Sequence, residues 1–456
     1  MPDQPIADPA PQSGEGIASR VSRRALIASI AASAGTAAAG GALAARVLGS
    51  EPNADSAPPA EAPGTEPFHG AHQPGIATAQ QRHALFATFD LEEDDPSDGH
   101  RLTADEAAAN FQELMERWTA VSERMMAGDP TGPVPANVPG APDDSGVADG
   151  LAPSRLTLTF GLGPGLFELI GREDDRPRRL DPLPEFPGDL LEPDWSGGQL
   201  LVQICGDDPQ VVSHAFRAVR ARTPGIARLR WTQQGFLGSF GDSTPRNLFG
   251  HRDGTANPRP ETPEFEESVR VDGEEEPDWF SGGSYLVFRK IRMDLPRWDT
   301  STAEEQDRSI GRRRTDGAPL SGGDEFTAPD LAATGSDGEP LVPPDSHVAL
   351  VRGVPMLRRS YNYDYGFQGR GLRPGAQEEH DDHAHDHDGA GHASYDSGVL
   401  FCAYLRDPGE FIDAQRALAA SDRLNAFIRH TGSAIFAVPP GARPDRPLAA
   451  ALFPRA

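Results

Sequence analysis

The sequence predicts an α+β protein built from two ferredoxin-like modules, each with an antiparallel sheet and peripheral helices. Three observations carry this. Apolar runs of strand length are interleaved with amphipathic helical stretches, their order in the first half is strand, helix, strand, strand, helix, strand, and a similar order returns in the second half. At 456 residues the chain also exceeds what one hydrophobic core usually organises.

The first module, expected over 67–240, starts with the strand ATFDL. It continues with a long amphipathic helix in TADEAAANFQELMERWTAVSERMM, opened by a capping box at Thr103 and Glu106. RLTLTFGLG and GQLLVQICG read as strands, and VVSHAFRAVRAR as the second helix. In the second module, expected over 241–456, SYLVFRKIRM is a strand, STAEEQDRSIGRR a helix, HVALVR and VLFCAYL strands, and FIDAQRALA and DRLNAFIRH helices. The segment 236–283 between them is rich in Gly, Pro and charge, a long connection of the kind that often carries function. Two stretches, 314–340 and the His/Asp-rich 375–393, are expected to be disordered.

Residues 1–49 carry an export signal by pattern. Arg23 and Arg24 precede a mildly apolar, Ala/Gly-rich run from Ala25 to Val47, which is the twin-arginine arrangement, and Ala42-Leu43-Ala44 is a candidate cleavage site. The run is nearly long enough to span a bilayer, but its Ala and Gly content makes it a poor anchor. The expectation is export through the twin-arginine translocase to the periplasm or the exterior, with tethering by an uncleaved signal as the alternative. That route carries folded proteins and suits a chain that loads a cofactor first. Residues 50–66 form a Pro/Ala/acidic linker, so folding is expected to begin near Pro67.

A formal net charge of -27 excludes nucleic acid and anionic membranes as partners, because both would be repelled over the whole surface. Cys205 and Cys402 sit in apolar strand-like runs and read as buried thiols rather than a disulfide.

Four places could carry chemistry. In GHRDGTANP, Gly250 and Gly254 flank Asp253 and allow a carboxylate to approach a flat ligand, although Asp between glycines is also ordinary turn composition. His347, in PPDSHVALVR, is either a hydrogen-bonded edge residue or a metal ligand. Arg358 and Arg359 precede three tyrosines in LRRSYNYDYG, a pattern shared with solvated faces and ion-pair donors. His380, His383, His385, His387 and His392, interleaved with Asp381, Asp382, Asp386 and Asp388, would take up Zn, Cu or Ni, as an adventitious site on composition alone.

Taken together, the stretches PFHGAHQPGIAT, LTFGLGPGLFE, PLPEFPGD, SGGQLLVQICGDDP, RNLFGHRDGTANP, GGSYLVFRKIRM, IGRRRTDGAPL, DSHVALVR, LRRSYNYDYG, VLFCAYLRDPGEF and SDRLNAFIRHTGSAIFAVPPG resemble, in order, the dye-decolorizing peroxidase family. The likeness is strongest to its exported branch, which includes the deferrochelatase/peroxidase proteins, and it runs from about Pro67 to the C-terminus. The resemblance implies one haem b per chain, held mainly in the second module. It matches Asp253 to the distal aspartate of a GxxDG motif, Arg358 to the distal arginine, His347 to the proximal ligand and Asp422 to the carboxylate behind it. Gly250 and Gly254 would shape the cofactor pocket.

The chemistry calls for these residue types. Cleaving peroxide moves one proton from the bound oxygen to the departing one, which a carboxylate can shuttle, while a fixed guanidinium stabilises charge on the leaving oxygen. A carboxylate behind the imidazole raises its basicity towards the metal. A carboxylate acid/base also implies an acidic activity optimum. Against the family pattern, the segment from His347 to Arg358 is short, Ala349 replaces a frequent arginine, His251 replaces a frequent aromatic, and the His/Asp insertion is additional.

The resulting expectation is a peroxidase that reduces hydrogen peroxide and oxidises bulky aromatic or phenolic reductants, with homo-oligomers allowed. Substrates too large for the cavity would donate electrons at the surface, with Trp279, Trp298, Tyr361 and Tyr404 as candidate relays. The alternative is a haem-handling protein that releases iron, deferrochelatase-like, or one that acquires metal through the His-rich loop.

Overall fold

The computed structural model describes residues 64–134, 142–238, 244–274, 276–351, 353–368 and 394–453. The twin-arginine segment, nearly all of the linker and the His/Asp-rich stretch lie outside the described residues.

The first half runs β1 (His83–Leu91), α1 (Ala104–Ala127), β2 (Thr157–Leu162), β3 (Leu200–Gly206), α2 (Pro209–Arg220) and β4 (Ala227–Phe236). Its strands pair antiparallel in the order β4-β1-β3-β2, the ferredoxin-like arrangement. The second half runs α3 (Pro263–Val269), β5 (Ser284–Met293), α4 (Ala303–Ile310), α5 (His347–Leu350), β6 (Leu357–Arg358), β7 (Tyr361–Gln368), β8 (Ser394–Leu405), α6 (Pro408–Ser421) and β9 (Ile428–Val438). Its order, β7-β8-β5-β9, repeats the first.

The two sheets meet at both edges, through Leu162 opposite Ala437 and Phe236 opposite Asn362, so that the strands close on themselves. Closure removes exposed sheet edges, and the helices and loops outside cover a second face of the central strands, while β4 keeps an exposed face. This is why β3 and the middle of β5 are apolar almost throughout rather than alternating. Inside the closed sheet lies a core containing Phe86, Trp231, Phe288, Tyr361, Cys205 and Cys402, both thiols buried and free. α1 and α2 cover the outer face of the first sheet. α1 starts at the Thr103–Glu106 capping box, ends at Gly128 with φ 83°, and buries Phe111, Leu114, Met115 and Trp118.

The structure corrects four expectations. HVALVR is not a strand: it holds the one-turn helix α5, entered from Ser346 in extended conformation. Apolar periodicity over six residues cannot separate the two, and the polar Asp-Ser pair ahead of the run is the helix-start signal. DRLNAFIRH is not one helix. Asp422 caps a single 3-10 turn, Arg423–Ala426, by accepting from the Leu424 N–H, and β9 begins at Ile428. The stretch 314–340 follows a defined course, because Arg312 donates to the carbonyls of Gly317, Glu325 and Thr327 and supplies the anchoring its composition lacks. Ordered chain begins at least by Gly64, whose carbonyl accepts from the Arg155 N–H, while Glu66 pairs with the Arg155 side chain at 2.9 Å.

Candidate active site

A cavity of about 600 Å³ opens beside the outer face of the second sheet. Arg289, Ile291 and Met293 of β5 and Val399 and Phe401 of β8 form one wall, alternate residues facing the same way as the strand period requires. The segment around Asp253, the chain on both sides of His347, and α6 enclose the rest. The volume lies within the range of cofactor pockets.

His347 opens α5 and borders this cavity. Its Nδ1 lies 2.7 Å from Asp422 Oδ2, and Asp422 Oδ1 accepts from the Leu424 N–H at 2.9 Å. The buried carboxylate is thus fixed by the turn it caps, and it selects the tautomer with the proton on Nδ1. Nε2 then carries the lone pair, the form a metal requires. Gly311, with φ 92°, passes so close that a Cβ there would come within 2.8 Å of Ser346 Oγ, so the α4 terminus and the approach to His347 are packed against each other.

Asp253 and Arg358 border the same cavity and form an ion pair at 3.3 Å. The Asp253 N–H donates to the Pro245 carbonyl, and Arg246 and Arg252 bridge antiparallel, so GHRDG is the return of a small loop. Gly250 (φ 80°) and Gly254 (φ 102°) lie in the region that favours glycine and make the turns on either side of Asp253. Of the arginine pair, Arg358 alone faces the cavity. Arg359 projects to the other side of the strand, where its guanidinium donates to the Thr78 carbonyl and to Gln81 Oε1.

Sequence reasoning missed Asn257. Arg359 N–H bonds to Cys402 of β8, so the N–H and C=O of Arg358 point away from that partner. The Asn257 side-chain amide fills the gap like a strand residue: Nδ2 donates to the Arg358 carbonyl at 2.7 Å, and Oδ1 accepts from the Arg358 N–H at 3.0 Å. Asn257 thereby ties the loop carrying Asp253 to the strand carrying Arg358. The available signal was the Asn in TANP, four residues after Asp253.

His251 takes over the aromatic role its position suggested. It is buried, lies edge-on to Trp298 at 5.8 Å and places Nε2 3.1 Å from Asp307. Burial pushes its pKa down, outweighing Asp307, and so favours the neutral ring. Trp298 stacks on Phe249 at 4.1 Å and Trp279 donates to the Asp175 carbonyl, while Tyr361 and Tyr404 lie inside the closed sheet.

A second recess, of about 20 Å³, adjoins Asp253, Arg358 and Ser360 and has room for a water-sized molecule. Ser360 Oγ is buried beside it without a hydrogen-bond partner. Arg252 and Arg289, both bordering the main cavity, likewise keep a buried Nε–H without a partner. Their charges are met elsewhere, Arg252 by Glu325 and Arg289 by Asp189, as Arg358 is by Asp253, so what the wall holds in reserve is these guanidinium N–H donors, beside Arg312 and the carboxylate of Glu264. A slot with an oriented imidazole, apolar walls and guanidinium N–H donors left without partners suits a flat metallomacrocycle bearing carboxylates, and the residues present therefore fit a haem.

Comparison with known proteins agrees. Residues 73–237 match the model of the N-terminal part of Dyp-type peroxidases and residues 244–443 that of the C-terminal part. The chain is 34% identical over 442 residues to the dye-decolorizing peroxidase of Thermobifida fusca, covering 92% of this chain and 94% of that protein. It is 32% identical over 424 residues to the deferrochelatase of Escherichia coli K12, covering 87% and 91%. Among solved structures, a DyP-type peroxidase from Streptomyces coelicolor matches with a TM-score of 0.73 and 37% identity, covering 86% of this chain and 98% of that one. Ferric DtpA from Streptomyces lividans matches at 0.72 and 38%, covering 87% and 100%. Fold and site thus define a haem-dependent peroxidase. The chain belongs to the DyP-type peroxidase family.

Proposed function

We propose that the protein reduces hydrogen peroxide at one haem b per chain, whose iron His347 Nε2 would hold, and oxidises bulky aromatic or phenolic reductants. The observation that carries this is the meeting, in one cavity, of a carboxylate-held imidazole and an aspartate–arginine pair. Bound haem supplies the redox chemistry of peroxide reduction. Asp253 accepts the proton of the nearer peroxide oxygen and returns it to the departing one. Arg358, held by Asn257, stabilises negative charge on the departing oxygen without having to reorganise. Asp422 keeps the His347 proton on Nδ1 and strengthens Nε2 as a donor. The recess beside Asp253 and Ser360 gives a peroxide-sized molecule a place next to the acid/base pair.

Asp253→Asn tests the assignment. The rate of reaction with peroxide should fall by roughly 10²–10⁴ while haem binding persists, and a variant reacting at the wild-type rate would refute the role of Asp253. A second reading, removal of iron from haem, is favoured by the similarity to proteins named deferrochelatase. Iron-free porphyrin accumulating under reducing conditions without peroxide would establish it, and retention of the intact haem would dismiss it. The Arg23-Arg24 pattern supports export by the twin-arginine route, with the cofactor loaded beforehand.

A further inference from the structure

Phe326 lines the cavity and is also 67% exposed, the most exposed large apolar side chain among the described residues, which places it at the cavity mouth. The chain that carries it is nevertheless firmly held. The Phe326 N–H donates to Asp324 Oδ1 at 3.1 Å, and Arg312 donates to the carbonyls of its neighbours Glu325 and Thr327 at 2.7 and 3.3 Å. The Glu325 carboxylate pairs with Arg252 at 3.0 Å and accepts from the Thr255 hydroxyl at 3.3 Å. Gly317, with φ 80°, runs so close to this pair that a Cβ there would come within 2.7 Å of the Arg252 side chain. Arg252 and Thr255 flank Asp253 in the chain, so the stretch that presents the ring is tied to the loop of the acid/base residue.

Folding leaves most of this ring's apolar area in water, so the bonds around it hold in place a face that the fold itself does not use. The cavity decides what can cover it. Pro258, Ala328 and Pro329 line the cavity with Phe326, so a flat molecule laid on the ring meets further apolar wall as it enters. Aromatic rings pair offset-stacked or edge to face, with centroids about 4.5–7 Å apart, and one fixed ring at an opening offers both arrangements to an incoming ring. Charge narrows the choice. Arg252 is neutralised by Glu325 and Arg358 by Asp253, and the remaining Arg312 and Glu264 are opposite in sign. The mouth thus has no surplus positive charge to hold an anionic dye, and the net charge of -27 repels one.

We propose that Phe326 is the stacking face of a docking site at the cavity mouth for a neutral, single-ring phenolic reductant. The proposal rests on the peroxidase reading and names a reductant class for the same cavity. A phenol stacked on Phe326 reaches the cavity directly, and no protein side chain has to be oxidised on the way. Its O–H bond breaks, and one electron and one proton leave it. Two phenols supply the two electrons and two protons that convert one hydrogen peroxide into two waters, leaving two phenoxyl radicals. Phe326 touches the reductant and sets which one is accepted, while Glu325, Arg252 and Arg312 position the chain that presents the ring.

The test uses the haem-loaded full chain and two reductants, 2,6-dimethoxyphenol and hexacyanoferrate(II), the second having no aromatic face. Turnover is expressed as the ratio of kcat/KM for the phenol to kcat/KM for hexacyanoferrate(II), which cancels differences in haem loading and in reaction with peroxide. The Kd of the phenol is measured separately, without peroxide, from the perturbation of the Soret band. Phe326→Ala should lower the ratio and raise the Kd by roughly 3–10-fold, the scale of one aromatic pair. Phe326→Trp should keep both within about twofold of wild type, because it restores a stacking face. 4-Hydroxybenzenesulfonate should bind more weakly than the neutral phenol at low salt, and tighter binding of the sulfonate would overturn the choice of a neutral reductant. Wild-type ratio and Kd in Phe326→Ala, or equal losses in Phe326→Ala and Phe326→Trp, would overturn the stacking role. A haem-loaded wild type that binds the phenol through Phe326 but is inert to peroxide would overturn the peroxidase reading and leave the docking site standing.

Discussion

Asn257→Ala would separate the placement of the catalytic pair from the binding of the cofactor. The change removes two hydrogen bonds, at 2.7 and 3.0 Å, that the side chain makes to the main chain of Arg358. At about 1 kcal/mol net each, the loss is about 2 kcal/mol, rising to about 4 kcal/mol if the orphaned N–H and C=O stay dry. The cavity lies next to this edge, so water can reach it and the lower figure applies. The larger effect should be on reactivity. Asn257 is the direct tie between the Asp253 loop and the Arg358 strand, and a displacement of about 1 Å costs roughly a hundredfold in rate. His347 and Asp422 sit on other segments and should hold haem as before. Denaturant unfolding would give the stability change, and stopped-flow mixing with peroxide the rate. A variant that reacts as fast as wild type, or one that loses haem before it loses reactivity, would refute the reasoning.

Two further outcomes follow from the same geometry. Asp422→Ala should lower haem affinity by about 10–100-fold, the usual cost of removing the group behind a metal-bound imidazole; equal affinities in a haem titration would contradict it. His430 borders the cavity and has its pKa pushed down to about 3 from 6.5, first by burial and then by Arg289 and His347. The folded state therefore keeps this ring neutral where the unfolded chain protonates it. Its contribution to stability is complete above pH 6.5 and is lost as the pH falls towards about 3. At pH 5 the deficit is about 2 kcal/mol, from about 1.4 kcal/mol per pH unit. Urea unfolding of haem-free protein at pH 7 and pH 5 should show this deficit in wild type and a smaller one in His430→Gln.

The strands and long helices were legible because they bury wide faces. The α1 capping box, the apolar β3 and the repeated element order each pointed to the observed sheets. Short elements were not legible. Four residues of α5 contain too few positions for a period to register, and the turn after Asp422 is defined by a side-chain cap rather than by a pattern. The site was legible only as a set of motifs. Nothing local in LRRSY says which arginine faces the cavity; that choice is made by strand alternation once β6 pairs with β8. Asn257 escaped notice because its role lies in bonds to the main chain of a residue 101 positions away, which no local reading can supply. The course of 314–340 was missed for a related reason, since the contacts of half-buried Arg312 to carbonyls hold it in place of apolar packing.

The central claim is that the His347 imidazole, oriented by Asp422, grips the haem iron. The most direct test is a haem titration of wild type and His347→Ala followed by visible spectroscopy. Wild type should bind one haem per chain with the Soret band of a histidine-ligated ferric haem, and the alanine variant should lose that band's position and most of its affinity. A Soret band of unchanged position and strength in His347→Ala would place the iron ligand elsewhere and contradict the account.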